Sequence, residues 1–461
     1  NMVFPDAFIK RLKKQDYIDS ESLLDALKEP SPVSIRLNRK KWNRIPKDSE
    51  RVPWCSDGYY LKRRPSYILD PLFHAGAYYP QEASGMFLEQ IFRQIIDPWD
   101  NLRILDLCGA PGGKSTHLSS LLCEKGLLLA NEVIRARAAI LRENLTKWGL
   151  SNSIVSQSDP AIFGRIPGFF DIILVDAPCS GEGMFRDSVA VAEWSEKNAR
   201  LCSDRQKRIL MDIWPALKKD GILIYSTCTL NPEENERNIK WLSDHYEVVS
   251  LKLDISEFPG ITEINYGGIY GYGFYPGRIK GEGLFISVLR KAEGDNPDVR
   301  IAKTLNNIRL TKEERNIAEG WTLFDPDTMI RAGDELLATA GTPDDLNRLT
   351  GKVKMIRWGT TICTRKGNNF IPSHELAMSL SYREGSFPVV DLDPGQALDY
   401  LGRKDLRGVN CPKGWNIFRY SGMNMGFANN IGSRINNYYP AEWRIKYADP
   451  GSVQNKILDW E

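Results

Sequence analysis

Two of the eight cysteines in this 461-residue chain occur where a reactive thiol could work on a substrate. Cys179 lies in Asp-Ala-Pro-Cys-Ser-Gly, just after the apolar run 172–175, and Cys228 lies in Ser-Thr-Cys-Thr, just after the apolar run 222–225. A lone buried cysteine usually behaves as a small hydrophobic side chain. Here the polar neighbours and the position after an apolar run instead favour a nucleophilic thiolate at each strand end.

One reaction in particular needs a thiolate, namely methylation of C5 of a pyrimidine. This carbon is barely nucleophilic until a thiolate adds to C6, which makes C5 enamine-like and able to attack a methyl sulfonium. A carboxylate near N3 can stabilise the charge of the adduct, and a base must remove the C5 proton before the thiolate leaves. This chemistry alone does not rank the two thiols.

A glycine-rich turn at 106–115 reads Asp-Leu-Cys-Gly-Ala-Pro-Gly-Gly-Lys-Ser. Its glycines let the backbone approach a ligand closely, and the helix that follows offers free N–H groups. The turn nearly matches the phosphate loop of nucleoside triphosphatases, but Cys108 stands where that loop needs glycine and Pro111 lacks an amide proton. Because Asp176 also follows a strand and could hold magnesium, a nucleoside triphosphatase remains an alternative.

Two further acids follow short apolar segments. Glu132 stands 26 positions after Asp106, where nucleotide-binding α/β folds place an acid that accepts hydrogen bonds from ribose hydroxyls. Stabilisation of Glu132 by a helix dipole is the structural alternative. Asp159 follows the apolar pair 154–155 and could face an adenine amine, or it could be an ordinary acid of a surface loop.

Residues 82–290 alternate between short apolar strands and helices. The predicted strands are Arg103–Leu107, Leu127–Ala130, Asp171–Val175 and Gly221–Tyr225. The predicted helices are Ser115–Leu122, Arg135–Trp148 and Lys197–Lys218. This alternation predicts a parallel sheet that is covered on both faces, with ligands bound at the carboxyl ends of its strands.

Composition excludes several classes of protein. The apolar runs are far shorter than the ~20 residues that span a bilayer, and no N-terminal segment resembles a secretion signal, so we expect a cytoplasmic protein. No CxxC pair occurs among the cysteines and the four histidines are scattered, which argues against a zinc site and a disulfide framework. The net charge of +2 means that any anionic partner must be met by local patches.

The ends of the chain hold candidate patches of this kind. The segment 32–64 carries ten Lys or Arg residues and three acids, interleaved with Trp42, Trp54, Tyr59 and Tyr60. Such a surface could bind nucleic acid through phosphate contacts and base stacking, or it could be a solvated face with ordinary aromatic packing. A linker is predicted near Glu293–Asp298, and the tail 381–461 reads as a small β-rich module.

The combination of motifs resembles the nucleolar-protein/Sun (NSUN-type) family of RNA cytosine-5 methyltransferases, and within it the bacterial enzymes of small-subunit ribosomal RNA. The two cysteine contexts carry most of this resemblance, which extends over nearly the whole chain. The similar segments are 79–86, 108–114, 176–183, 226–235, 274–278, 281–285 and 372–377.

The resemblance implies a role for each site residue. S-adenosylmethionine would lie against Cys108, Gly109, Ala110, Pro111, Gly112, Gly113 and Lys114. Glu132 would bind its ribose, Asp159 would lie near its adenine, and Asp176 would reach its methionine part or the target base. Gly109 stands where the family usually has alanine or serine, a departure that leaves the backbone cradle intact.

The resemblance also divides the work of catalysis. It implies that Cys228 is the attacking nucleophile, that Cys179 releases the methylated RNA and that Lys114 approaches the base. Two alternatives differ in what they require. An RNA-binding protein without activity would need neither thiol, and a DNA cytosine methyltransferase would attack with a cysteine placed after proline, as Cys179 is.

The implied fold is α/β, with a Rossmann-like S-adenosylmethionine-dependent methyltransferase core, an N-terminal RNA-binding region and a C-terminal β-rich PUA-like module. We expect boundaries at 1–80, 81–292, 293–380 and 381–461. The expected partner is 16S ribosomal RNA or the 30S subunit, bound by a monomer without metal. Because a paired cytosine would be out of reach, the target must be unpaired or flipped out.

Overall fold

The computed structural model describes residues 3–122, 125–294, 296, 310–406, 408–447 and 456–461. The predicted linker at 293–298 therefore lies partly outside the described residues, and Cys123 lies wholly outside them. None of the described helices is long and apolar enough to cross a membrane.

The N-terminal region forms a small antiparallel sheet of four strands in the order β2-β3-β1-β4. Its elements are α1 (Asp6–Leu12), α2 (Ser20–Ala26), β1 (Val33–Leu37), β2 (Glu50–Arg51), β3 (Gly58–Leu61), α3 (Pro71–His74) and β4 (Tyr78–Pro80). The side chains of Trp42, Trp54, Tyr59 and Tyr60 are all buried. Ordinary packing therefore accounts for these four rings, and none of them is available to stack on a base.

The central sheet begins with strands β5 (Arg103–Asp106), β6 (Leu127–Asn131), β7 (Ser153–Ser156), β8 (Phe170–Asp176), β9 (Leu217–Thr227), β10 (Val248–Ser250), β11 (Thr262–Tyr266), β12 (Ile269–Phe274) and β13 (Leu284–Lys291). Its helices are α4 (Leu88–Ile95), α5 (Gly113–Leu121), α6 (Arg135–Trp148), α7 (Pro160–Phe163), α8 (Ser188–Glu193), α9 (Glu196–Ile213) and α10 (Glu236–His245). All four predicted strands are present. The helix predicted to run to Lys218 ends at Ile213, because Pro215 cannot continue it and β9 begins at Leu217.

The strand order explains where ligands bind. Strands β7-β6-β5-β8-β9 are parallel, and β13 continues the sheet antiparallel to β9. The chain winds outward from β5 in one direction and then returns to place β8 on its other side. A crevice opens at such a switch point, outside the carboxyl ends of the strands. The glycine-rich turn follows β5 and Asp176 ends β8, so both lie at this crevice.

The rest of the chain adds two more sheets. The first part contains α11 (Lys312–Trp321), β14 (Met329–Ala332), β15 (Glu335–Thr339), α12 (Pro343–Leu349), β16 (Met355–Arg357), β17 (Gly359–Lys366), β18 (Asn369–Pro372) and α13 (His374–Met378). Strand β16 pairs with β7 and so becomes the tenth strand of the central sheet. The second part contains β19 (Val389–Asp391), α14 (Pro394–Leu401), β20 (Gly414–Tyr420), β21 (Met423–Asn430) and β22 (Ile435–Asn437).

The two ends of the chain pack against each other. One hydrophobic cluster contains Trp42 and Tyr78 of the N-terminal region together with Tyr400 and Phe418 of the C-terminal module. The ring of Trp460 packs edge-on against Trp42 and at a tilt against Tyr78. The burial of these apolar surfaces joins the two terminal regions beside the central sheet, a contact that sequence patterns do not reveal.

Candidate active site

The two predicted nucleophilic thiols lie side by side. Strands β8 and β9 are parallel neighbours with Asp176 opposite Ser226, so the loops that follow them start at the same edge of the sheet. The Sγ atoms of Cys179 and Cys228 are 3.1 Å apart. The hydrogen bond from Cys179 lowers the pKa of the Cys228 thiol against the opposing effect of burial, and the same bond raises the pKa of Cys179. The hydrogen-bonded pair therefore favours a single thiolate, and the direction of the two pKa shifts favours Cys228 as the residue that carries it.

A lysine–aspartate pair lies next to the thiols. Nζ of Lys114 donates to Oδ2 of Asp176 at 2.7 Å, and Oγ of Ser226 donates to Oδ1 at 2.6 Å. Burial alone would lower the pKa of Lys114, but the Asp176 carboxylate outweighs it and raises that pKa. The Lys114 ammonium in turn favours the ionised form of Cys228. Three predicted site residues from three separate segments thus meet in one crevice.

A buried glutamate to which the sequence analysis assigned no role joins the two thiol loops, that is, the loop after β8 that carries Cys179 and the loop after β9 that carries Cys228. Glu234 accepts hydrogen bonds from the backbone N–H of Ser180 at 2.9 Å, from Oγ of Ser180 at 2.5 Å and from Nε2 of Gln206 at 3.1 Å. Oγ1 of Thr229 donates a longer bond, 3.4 Å, to Oε2 of Glu234, the same oxygen that accepts from Oγ of Ser180. Burial raises the pKa of Glu234 to about 7 despite the bonds from Ser180. Glu234 lies in the segment 226–235 that resembles the family, and this resemblance was the only sequence feature that could have indicated a role for it.

Close backbone contacts fix the loop that carries Cys179. The N–H of Gly183 donates to the carbonyl of Cys228 at 2.9 Å, and the N–H of Gly283 donates to the carbonyl of Gly183 at 3.1 Å. A Cβ atom at position 183 would lie only 2.4 Å from the carbonyl oxygen of Gly283. The next side chain, Glu182, is fully buried and accepts a hydrogen bond from Arg11 at 2.5 Å. Position 183 therefore requires glycine for lack of space.

The glycine-rich turn forms one wall of the crevice. The N–H of Gly109 donates to the carbonyl of Asn131 at 2.7 Å, and a Cβ atom at 109 would lie 2.6 Å from Oγ of Ser115. Gly112 has φ +123°, a conformation that side-chain-bearing residues rarely adopt. Burial raises the pKa of Cys108 in this turn, so its thiol stays protonated and is a wall of the crevice rather than a nucleophile.

Two carboxylates in the crevice have unused hydrogen-bonding capacity. Among the described residues none donates a hydrogen bond to Oδ1 of Asp106 or to Oε2 of Glu132, although both atoms are buried. Arg137 approaches Oε2 of Glu132 only to 3.5 Å. Buried carboxylate oxygens normally have donors, so these two atoms fit a ligand that supplies them. The ammonium group and ribose hydroxyls of S-adenosylmethionine are donors of this kind. Asp106 was not among the predicted site residues.

Asp159 has a structural partner of its own. It is exposed, lies beyond the end of β7 and accepts a hydrogen bond from the N–H of Ala161 at 3.0 Å, which caps α7. Its place at the carboxyl edge of the sheet is compatible with an adenine contact, and capping explains its one observed hydrogen bond.

Sequence spacing argued against a metal site, yet the fold brings together one suitable group from distant segments. Cys55, Glu89 and His117 are buried, with possible ligand atoms within 4.8 Å of one another. The carboxylate of Glu89 already accepts hydrogen bonds from Arg93 and from the backbone of Ser56. The Glu89 carboxylate is therefore paired with Arg93 within the protein.

The switch-point crevice, the glycine-rich turn and the acid after the second strand define a Rossmann-like, S-adenosylmethionine-dependent methyltransferase. Residues 93–290 match the model of the 16S rRNA methyltransferase RsmB/F family, residues 4–83 match the N-terminal domain of 16S rRNA methyltransferase RsmF, and residues 387–445 match the methyltransferase RsmF PUA domain. The chain belongs to the ribosomal RNA small subunit methyltransferase F family.

Named relatives align with this chain over almost its full length, and a solved structure aligns with about two thirds of it. Ribosomal RNA small subunit methyltransferase F of Shewanella loihica is 30% identical over 94% of both chains. The protein of the same name from Escherichia coli K12 is 29% identical over 95% of this chain and 96% of its own. The structure of a methyltransferase homolog protein from Pyrococcus horikoshii shows 30% identity and a TM-score of 0.53, covering 63% of this chain and 96% of the other.

These findings confirm the predicted family, the α/β methyltransferase fold with a PUA domain, and S-adenosylmethionine as the cofactor. They also make this chain an enzyme and set aside the nucleoside triphosphatase alternative.

Proposed function

We propose that this protein methylates C5 of a cytosine in 16S ribosomal RNA through a covalent bond between Cys228 and C6 of the base. The observation that carries the proposal is the pair of thiols at 3.1 Å, one with a lowered and one with a raised pKa. Methylation of an exocyclic amine or a ribose hydroxyl has no use for such a pair, whereas C5 methylation needs a nucleophile that adds and then leaves.

The proposed steps use the side chains that lie in this crevice. The Cys228 thiolate adds to C6, and the electron pair of the C5=C6 bond becomes available at C5. Asp176, held by Lys114 and Ser226, lies where it can stabilise the ring of the adduct by hydrogen bonding. Bound S-adenosylmethionine would supply the electrophilic methyl group, and its S–CH3 bond would break as the C5–CH3 bond forms, with S-adenosylhomocysteine as the leaving group. A base then removes the C5 proton, the C6–S bond breaks, and Cys228 leaves again as a thiolate while Cys179 promotes this release.

The cofactor would be held by the groups whose hydrogen-bonding capacity is unused. The turn 108–114 would approach it through its backbone, Glu132 would accept from the ribose, and Asp106 would accept from the ammonium group. Asp159 would lie beside the adenine. Asp106 ends β5 and the other residues follow β5, β6 or β7, so all of them lie at one edge of the sheet.

The RNA would be held largely outside the catalytic domain. We propose that regions 1–80 and 381–461 bind ribosomal RNA, that 81–292 is the catalytic domain and that 293–380 is a linker and a first C-terminal domain. Seven cationic side chains of the segment 32–64 are exposed, namely Lys40, Arg44, Lys47, Arg51, Lys62, Arg63 and Arg64. Phosphate contacts from such a surface position the RNA, and they weaken as salt concentration rises.

The direct test is incubation of the protein with tritiated S-adenosylmethionine and an RNA substrate. The substrate is either 16S ribosomal RNA or 30S particles, prepared from cells that lack this protein. Digestion of the RNA and chromatography of the nucleosides should place the label in 5-methylcytidine. Label in any other nucleoside would contradict the proposed reaction. Comparison of the two RNA forms identifies whether naked RNA or the assembled subunit is the substrate.

A further inference from the structure

Glu234 bonds to residues of both thiol loops. Ser180, which follows Cys179, donates to it through both its backbone N–H and its hydroxyl. Thr229, which follows Cys228, lies on the other side, with Oγ1 at 2.9 Å from Oγ of Ser180 and 3.4 Å from the carboxylate. One fully buried carboxylate is thus bonded to the neighbour of each cysteine.

The surroundings of Glu234 hold it in one place. Gln206 of α9 donates both to the carboxylate and to the carbonyl of Pro178. The hydroxyl of Tyr225 donates to the backbone carbonyl of Glu234 at 2.6 Å. Because each of these groups is buried, movement of Glu234 would leave several donors without partners, which is costly.

We propose that Glu234 is a positioning residue that keeps the Cys179 thiol within hydrogen-bonding distance of Cys228 and so promotes ionisation of the nucleophile. The proposal rests on the assignment of Cys228 as nucleophile in the proposed function. The strongest influence on the ionisation of Cys228 is its bond to Cys179, which exists only while the two loops stay together.

The negative charge of Glu234, taken alone, would have the opposite effect on the ionisation of Cys228. A carboxylate near Cys228 repels a thiolate, so removal of the Glu234 charge would lower the pKa of Cys228 if the loops did not move. Loss of the Cys179 hydrogen bond would raise that pKa. The sign of the change therefore separates positioning from simple electrostatics.

The experiment measures alkylation of Cys228 by iodoacetamide as a function of pH, without RNA or cofactor. The two thiols lie on different tryptic peptides, 166–186 and 220–237, so mass spectrometry reports each one separately. Glu234→Ala should slow alkylation of Cys228 at pH 7 about tenfold, which corresponds to a pKa increase of about one unit. Glu234→Gln should fall between the wild type and Glu234→Ala, because its amide oxygen can still accept from Ser180.

Two further variants make the result decisive. Ser180→Ala leaves the charge of Glu234 in place but removes one of its hydrogen bonds, so it should also slow alkylation of Cys228. If Glu234→Ala does not fold, Ser180→Ala and Glu234→Gln together still test the proposal. Glu236→Gln removes a buried glutamate that bonds Tyr17 and neither thiol loop, so it should leave Cys228 unchanged.

Faster alkylation in both Glu234 variants, or rates equal to the wild type, would overturn the proposal. Failure of the proposed function would look different, since it would appear as absence of methyl transfer and not as a change in thiol ionisation.

Discussion

Nζ of Lys114 lies 2.7 Å from Oδ2 of Asp176, although 62 positions separate the two residues in the sequence. Lys114 is the second residue of α5, the helix after β5, and Asp176 ends β8, the strand on the other side of the switch point. Their contact joins the glycine-rich turn to the end of the strand that precedes Cys179. In the proposed reaction, the cofactor and the target base would both lie near this ion pair, as transfer of a methyl group between them requires.

The affinity for S-adenosylmethionine should depend on Glu132. Glu132→Gln should weaken binding by about 10- to 100-fold, because hydrogen bonds to a charged group contribute about 1.5–3 kcal/mol each. Isothermal titration calorimetry of the protein without RNA measures this. Asp244→Asn, on the exposed face of α10, is the control and should bind as the wild type does. Equal affinities of Glu132→Gln and wild type would place the ribose elsewhere.

The two roles considered for Asp159, capping of α7 and contact with adenine, can be separated by one substitution. Asp159→Ala removes the N-cap of α7 and should lower the free energy of unfolding by about 1 kcal/mol. If Asp159 also contacts adenine, cofactor affinity should fall several-fold in addition. Thermal unfolding and calorimetry on the same samples give both quantities. Reduced stability with unchanged affinity would leave Asp159 as a helix cap and remove it from the cofactor site.

The close contact between the loops predicts intolerance at position 183. Gly183→Ala should destabilise the protein by about 2–3 kcal/mol, because the added methyl would overlap the carbonyl of Gly283 and the backbone of Cys228. Gly320→Ala, on α11 with open space around it, should instead stabilise by about 0.5–1 kcal/mol. Urea denaturation compares the two. Equal stability of Gly183→Ala and wild type would mean that the loops are farther apart than described.

Burial of Asp106 predicts a pH effect. Burial raises the pKa of Asp106 to about 7, whereas an unfolded aspartate has a pKa of about 3.9. Between these values the folded protein retains a proton that the unfolded chain releases, so this group's contribution to stability is lost as pH rises from about 4 to about 7. Asp106→Asn cannot lose that proton. In the absence of cofactor, its melting temperature relative to wild type should therefore rise across this window and then level off.

A difference between Asp106→Asn and wild type that stays constant between pH 4 and pH 8 would contradict the pKa assignment. The comparison must be made with the variant, because other buried groups titrate in the same range. His117, for example, has its pKa lowered to about 4 by burial and adds a slope of the opposite sign.

Sequence patterns were sufficient for the features that depend on local periodicity. The parallel strands, the helix Arg135–Trp148 and the glycine-rich turn after β5 follow from apolar runs and glycine spacing. Long-range packing decided the rest. The burial of Trp42 and Tyr59 depends on contact with the C-terminal module, and the role of Glu234 depends on loops after two different strands. A charge count cannot separate an exposed lysine from Arg36, which is buried against Trp148.

The central claim is that Cys228 forms the bond to RNA and Cys179 allows it to break. The most direct measurement incubates wild type, Cys228→Ala and Cys179→Ala with S-adenosylmethionine and 16S ribosomal RNA and separates the products on denaturing gels. Cys228→Ala should form no 5-methylcytidine and no covalent complex, and Cys179→Ala should accumulate a covalent protein–RNA complex. Identical behaviour of the two variants, or a complex formed by Cys228→Ala, would contradict the assignment.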